Sequence, residues 1–488
     1  MDENDMKAEL SSILEVNALD YRLPPSLSVA TARQMKSYRA ANIRYQFGEQ
    51  INITLSSGAA YIDPKNSYIS FDCVIPADGT AIPYANLNLP THGGWTQLIQ
   101  KYTIMHSSGV ELDRMADCAG EYQQIKHFYE HDARWRKVVG ASWYQEDEGK
   151  NLHLDTDNVL IGSTALSTGA HYPFQATDTE LLKAASSTGP SRDTYRITIP
   201  LCEVAPIFNS NLLLPSFIAA GMRLELTTAT KERFFSKIGG WGASAVPFIQ
   251  NVFINLESFQ LTDSITRKLS QISASSGLEW TWTAVHQSAT TQKNAEFSFQ
   301  VSRALSRANN IVCKMRSKTA YESSLADSYT SLPWVSENIA NDGTAYIEEV
   351  KANDGGIEGF QVQLGAQFIP AAPLDNLQDF YASALKTFGG YRRTDASVGA
   401  DLDQFAGKVL GKVTANAAKP VYGTCVAIAA VPLESSSTLN ESGAAISAQR
   451  TAVVNIKVKD TAVERRYDFF VEYSKLATVF LDSVVVRS

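Results

Sequence analysis

The chain lacks any run of about 18 apolar residues, so no stretch of it reads as a helix that crosses a membrane. Charge is scarce: only 19% of its 488 residues are Asp, Glu, Lys or Arg. That excludes a surface built mainly from long charged helices and suits strands joined by polar loops. Its five cysteines, Cys73, Cys118, Cys202, Cys313 and Cys425, lie far apart with no C-x-x-C pair. They read as buried free thiols of a protein made in a reducing compartment. The opening MDENDMKAEL has no basic-then-apolar layout of a signal peptide, so the sequons at Asn52 and Asn440 read as chance matches. No G-x-S-x-G, G-x-x-x-x-G-K-[ST] or G-x-G-x-x-G occurs, and Gly239-Gly240-Trp241-Gly242 reads as a turn. A net charge of -8 argues against a broad basic face for nucleic acid.

What is present is apolar residue in quantity, 44% of the chain, enough for two or three cores at this length. Alternation predicts strands. Ile51, Ile53 and Leu55, then Tyr68, Ile69, Phe71, Cys73 and Ile75, predict a hairpin around Asp63-Pro64-Lys65-Asn66. Further strands are expected at 98–105, 195–201, 222–228 and 248–261, and in the second half from Phe297 onward. Met115, Ala119, Tyr122, Ile125 and Tyr129 predict one helix within 112–135, and Leu377 to Phe388 a second, ended by Gly389-Gly390. The stretches 140–193 and 319–358 read as long polar excursions. The segment 262–277, between strand signals ending at Leu261 and resuming at Leu278, Trp280 and Trp282, reads as a short polar linker at the seam of two β-domains.

Candidate chemistry is sparse. His127-Phe128-Tyr129-Glu130-His131 matches H-x-x-E-H, which would place two histidines on one helix face with Glu130 as base. A zinc site needs a third protein ligand, and no downstream helix offers one, so the pattern is assigned to a surface or interface helix end and no metal, cofactor or catalytic residue is expected. Trp280, Trp282 and Trp334 could stack on sugars, but core packing is the favoured reading. Between Tyr21 and Gly48 there is no acidic residue. There Arg33, Lys36 and Arg39 either meet phosphate or an acidic partner, or are solvated charges before the first strand. Leu10, Ile13 and Leu14 share one face of a short helix that could dock on a neighbour, or belong to a frayed terminus.

In order and spacing, several phrases resemble the double jelly-roll major capsid proteins of the tectivirus and adenovirus lineage, including those of polinton-like viruses, adintoviruses and virophages. Trp95 to Met105 with Ser108-Gly109-Val110-Glu111-Leu112 resembles the strand and turn before the first domain's helix. Leu213-Leu214-Pro215 through Gly221 to Leu226 resembles the penultimate strand region, and Asn251 to Leu261 the closing strand. Leu364 to Pro370 with its helix, then Ser442 to Ile446, resemble parts of the second jelly roll.

The expected fold is all-β: two tandem eight-stranded jelly-roll sandwiches, each with one short inserted helix and long surface loops. The expected division is an N-terminal arm at 1–34, a first jelly roll at 35–265 and a second at 266–488. The resemblance implies a non-enzymatic shell subunit of the virion, trimeric with a pseudo-hexagonal outline and with no small-molecule substrate. Its partners would be neighbouring capsomers, penton and minor capsid proteins, and an internal membrane or packaged genome reached through the arm. The alternatives are a single-jelly-roll shell protein with a projecting β-domain, and a carbohydrate-binding β-sandwich.

Overall fold

In the computed structural model, the structure describes residues 30–56, 60–75, 87–88, 94–131, 135, 139–140, 143, 193–210, 213–234, 236–237, 246–318, 357–389, 405, 409–413, 419–422, 428–433, 444–447, 450–458, 464–480 and 483–487. Leu10, Ile13, Leu14, Trp334 and Cys425 lie outside the described residues, as does most of both polar excursions.

The first half contributes eight main strands. They are β1 (Ala30–Arg39), β2 (Gln50–Thr54), β3 (Tyr61–Ile75), β4 (Ile99–Met105), β5 (Glu111–Met115), β6 (Asp193–Pro200), β7 (Arg223–Thr228) and β8 (Phe248–Leu261). They pair antiparallel into two sheets, ordered 1-8-3-6 and 2-7-4-5. Alternation supplies the inner faces: Ile51 and Ile53 on β2 are buried, as are Leu224 and Leu226 on β7.

The second half contributes β9 (Leu278–Gln292), β10 (Glu296–Gln300), β11 (Leu305–Ser317), β12 (Ile357–Leu364), β13 (Gln367–Leu374), β14 (Ala429–Pro432), β15 (Ala452–Val458) and β16 (Arg465–Val479). Their sheets are ordered 9-16-11-14 and 10-15-12-13, again antiparallel. Adding eight to every strand number of the first half gives the order of the second. Each half is therefore a jelly roll of the same topology. Helix α1 (Ala119–Glu130) follows β5. After α2 (Asp263–Ser275), between the halves, α3 (Leu377–Thr387) follows β13, the equivalent place in the second half. The Asn376 side chain caps α3 by accepting the Asp379 N–H at 2.9 Å.

Three expectations change. The predicted hairpin does not form, because β2 pairs with β7 while β3 pairs with β8 and β6 in the opposite sheet. Asp63-Pro64-Lys65-Asn66 is an irregularity within β3, where the Asp63 carboxylate accepts the Lys65 N–H at 3.1 Å. The stretch beginning at Leu112 is not one helix: Glu111–Met115 is strand β5, and the backbone turns through a left-handed Cys118 (φ 58°) before α1 begins. The polar linker is helical. In α2, Ile265, Leu269 and Ile272 recur at helical spacing, and the helix ends where Gly277, at φ +78°, donates its N–H to Ile272. A Cβ on Gly277 would lie 2.5 Å from Thr478 Cγ2, so both the backbone and the packing demand glycine.

One apolar cluster runs through both halves. Its bridge is α1, almost wholly buried because one side faces its own sandwich and the other meets β11, β16 and Phe388, just past α3, of the second. Tyr122 packs on Phe470 with ring centres 5.2 Å apart, and Tyr129 stacks on Phe388 at 5.1 Å. At the start of α1, a Cβ on Gly120 would stand 2.5 Å from Gln97 Cα, so the helix sits against the 94–98 turn at a distance only glycine allows.

Candidate functional site

Arg33, Lys36 and Arg39 lie in β1, the outer strand of sheet 1-8-3-6. Arg33, expected in the arm, is part of a strand. Alternation points Lys36 to the face opposite Arg33 and Arg39, so the three do not converge on one patch. Arg33 is engaged at home: its guanidinium pairs with Glu257 of β8, whose side chain is only 4% exposed. Lys36 is half-buried and Arg39 exposed. β1 itself is a long edge of ten residues, paired along one side, with Met35 47% exposed. An exposed edge of this length is a surface that a partner can cover.

Buried charge concentrates between the two jelly rolls. Lys314 of β11 donates to Glu121 of α1 at 2.7 Å, with the side chains 0% and 2% exposed. Arg466 of β16 bridges Asp117 at 3.1 Å and Asp468 at 2.8 Å. Lys475 donates to the Leu112 carbonyl, and Trp280 Nε1 to Ser210 Oγ at 2.9 Å. Each of these links joins one half of the chain to the other, apart from Arg466 with Asp468. Sequence reasoning singled out Trp280 but not the charged residues, because Lys314 and Glu121 lie 193 residues apart and Arg466 and Asp117 lie 349 apart.

Asp113 is the titratable centre of this seam. Burial pushes its carboxyl up to about 6, against the pull of Lys475 and of the Arg114 and Ile207 N–H groups. Burial in turn lowers Lys475, which Asp113 partly offsets. An unfolded aspartate titrates near ~3.9. Between about 4 and about 6 the folded chain therefore holds a proton that the unfolded chain has lost, and stability falls as pH rises through that window. Asp113→Asn removes this titration. Relative to the wild type, the variant is expected to gain on the order of 3 kcal/mol between pH 4 and pH 8. Denaturant midpoints of both proteins at the two pH values check this, and parallel pH profiles would contradict it. His286, which burial and Arg303 lower to about 4, contributes the opposite slope to both proteins and cancels.

The H-x-x-E-H segment also departs from expectation. His127 is fully buried, and a third side chain able to ligate, which the sequence does not reveal, stands beside it: Glu203 hydrogen-bonds His127 Nε2. Burial alone would raise the Glu203 carboxyl, yet His127, Lys126 and His131 together hold it below its ordinary value. Trp280 and Trp282, 2% and 5% exposed, have no face open to a sugar. Cys73, Cys118 and Cys313 are buried and Cys202 half-buried, all as free thiols. Among the described residues no helix is long and apolar enough to cross a membrane.

No family model matches the chain, and no curated protein matches it by sequence. Solved structures do match over nearly its whole length. The Faustovirus major capsid protein superposes with a TM-score of 0.57 at 8% identity, over 96% of this chain and 94% of that one. A chain of the Sputnik virophage structure gives 0.55 at 12% identity, over 96% and 90%. The mavirus major capsid protein gives 0.52 at 11% identity, over 96% and 93%. The chain thus has the double jelly-roll fold of these viral proteins.

Proposed function

We propose that this chain is the major structural subunit of an icosahedral viral shell, acting by assembly rather than catalysis. One observation carries the reading: a single eight-strand order occurs twice, 1-8-3-6 with 2-7-4-5 and then 9-16-11-14 with 10-15-12-13, locked by a buried seam. Two equivalent sandwiches held side by side allow three chains to present six similar corners, which tile a hexagonal lattice through closed and then lattice contacts. A projecting β-domain of unrelated topology does not fit this repeat, and buried Trp280 and Trp282 do not favour carbohydrate binding.

The subunit is a homotrimer of the virion, with neighbouring capsomers, penton and minor capsid proteins as partners. Residues 1–29 act as an arm toward a minor protein, an internal membrane or packaged genome. The exposed edge of β1, with Met35 and Arg39, is a surface for subunit contact. A net charge of -8 suits a shell that does not condense its genome on a basic inner face. In native mass measurement the purified chain is expected at three times its 53.4 kDa mass. A protein found only at 53.4 kDa under assembly conditions would remove the trimer from the proposal.

A further inference from the structure

We propose that His127, His131 and Glu203 form a binding site for one divalent transition-metal ion of the zinc class, bracing α1 against the turn that follows β6. The two histidines lie four residues apart, and the His131 N–H still donates to the His127 carbonyl at 3.1 Å. That last helical bond keeps both rings on one face, with centres 5.7 Å apart. Glu203 arrives from the short 3-10 turn Leu201–Glu203, 76 residues from His127. One ligand atom from each of the three residues lies within 4.8 Å of the other two.

Donors around a tetrahedral ion at about 2.0–2.1 Å stand roughly 3.3 Å apart, a separation these side chains reach by small rotations. His127 Nε2 and Glu203 Oε2 now share a hydrogen bond; metal binding releases its proton to solvent and parts the two donors to that separation. Two imidazoles and a carboxylate are the donor set that suits zinc, with water as fourth ligand.

The surroundings hold the ligands in place. Trp135 stacks on His131 at 3.6 Å with planes 9° apart, and Trp143 lies 5.1 Å from His127. Such packing fixes ring orientation and limits solvent. Glu130, the base of a metalloprotease with this motif, is instead 3.8 Å from Lys126 and outside the cluster. The site therefore binds and braces; it is not arranged to activate water for attack. Because α1 also carries the contacts to the second jelly roll, a metal here stiffens the element on which both sandwiches rest.

The test uses the full chain without a histidine tag, stripped with chelator, incubated with zinc and dialysed against metal-free buffer. Elemental analysis is expected to find close to one zinc per chain, and cobalt in its place to give the visible absorption of a four- or five-coordinate ion. His131→Ala and Glu203→Gln are each expected to weaken zinc binding by more than the roughly 10–100-fold that loss of an outer-shell partner costs. Zinc is expected to raise the wild-type melting temperature and chelator to reverse the gain. A wild type that keeps no zinc after dialysis and melts identically with chelator would overturn the proposal, leaving a hydrogen-bonded His–Glu pair, whatever the folding of the variants. Undiminished zinc in both variants would overturn it equally.

Discussion

Lys314→Ala is expected to destabilise the chain by about 3–5 kcal/mol, one of the largest losses any single polar substitution here can cause. Lys314 is wholly buried on β11, and its ammonium sits 2.7 Å from a Glu121 carboxylate that is itself 2% exposed. Removing the lysine leaves that carboxylate in the interior without its counter-charge, and the desolvation cost falls on the folded state alone. The pair as a whole need not stabilise. Lys314→Met with Glu121→Leu, which fills the space with apolar atoms, is expected to recover most of the loss or exceed the wild type. Lys318–Glu464, 3.0 Å apart but 40% and 45% exposed, is the control, and Lys318→Ala is expected to cost at most ~1 kcal/mol. Urea denaturation of the four proteins measures all of this. A Lys314→Ala effect as small as that of Lys318→Ala would show that Glu121 does not depend on Lys314 for its counter-charge in the seam.

Trp280→Ala is expected to cost a similar amount, about 3–5 kcal/mol, for a different reason. The indole fills the seam beside Trp282, with ring centres 4.7 Å apart, and reaches across the halves to Ser210 Oγ at 2.9 Å. Truncation opens a cavity and deletes a bond between the two sandwiches. Trp280→Phe keeps much of the volume and loses the N–H, so it is expected to cost only about 1–2 kcal/mol. Ser210→Ala should then cost less in the Trp280→Phe background than in the wild type, by the worth of the shared bond. Thermal unfolding of the single and double variants separates the two contributions. Additive losses would mean that Ser210 and Trp280 act independently.

Both predictions rest on residues whose importance only the folded chain reveals. Strand existence was legible, because alternation at Ile51, Ile53, Leu224 and Leu226 is set by a two-residue period and one buried face. Strand partnership was not. β2 and β3 are neighbours in sequence yet lie in opposite sheets, and nothing local distinguishes that crossing from a hairpin. Apolar spacing carried the helix prediction backward through Met115 because it is blind to the left-handed Cys118 that separates β5 from α1. It underweighted α2, which lies half-exposed: Ile265 and Leu269 are half-buried, Ile272 is exposed, and the buried position is Ser273, whose hydroxyl donates to the Val479 carbonyl. The basic residues of 33–39 were visible as composition, but the strand that carries them directs them to two faces. Glu203 had no sequence signal at all, since its partners lie on a helix far earlier in the chain.

The shared strand order of the two halves is the ground for a shell subunit. Cryo-electron microscopy of particles assembled from this chain tests that claim most directly. The account predicts capsomers of pseudo-sixfold outline, each holding three chains, with two sandwiches per chain ordered as 1-8-3-6 with 2-7-4-5 and 9-16-11-14 with 10-15-12-13. Capsomers built from six chains, or a chain that forms no ordered shell, would contradict it.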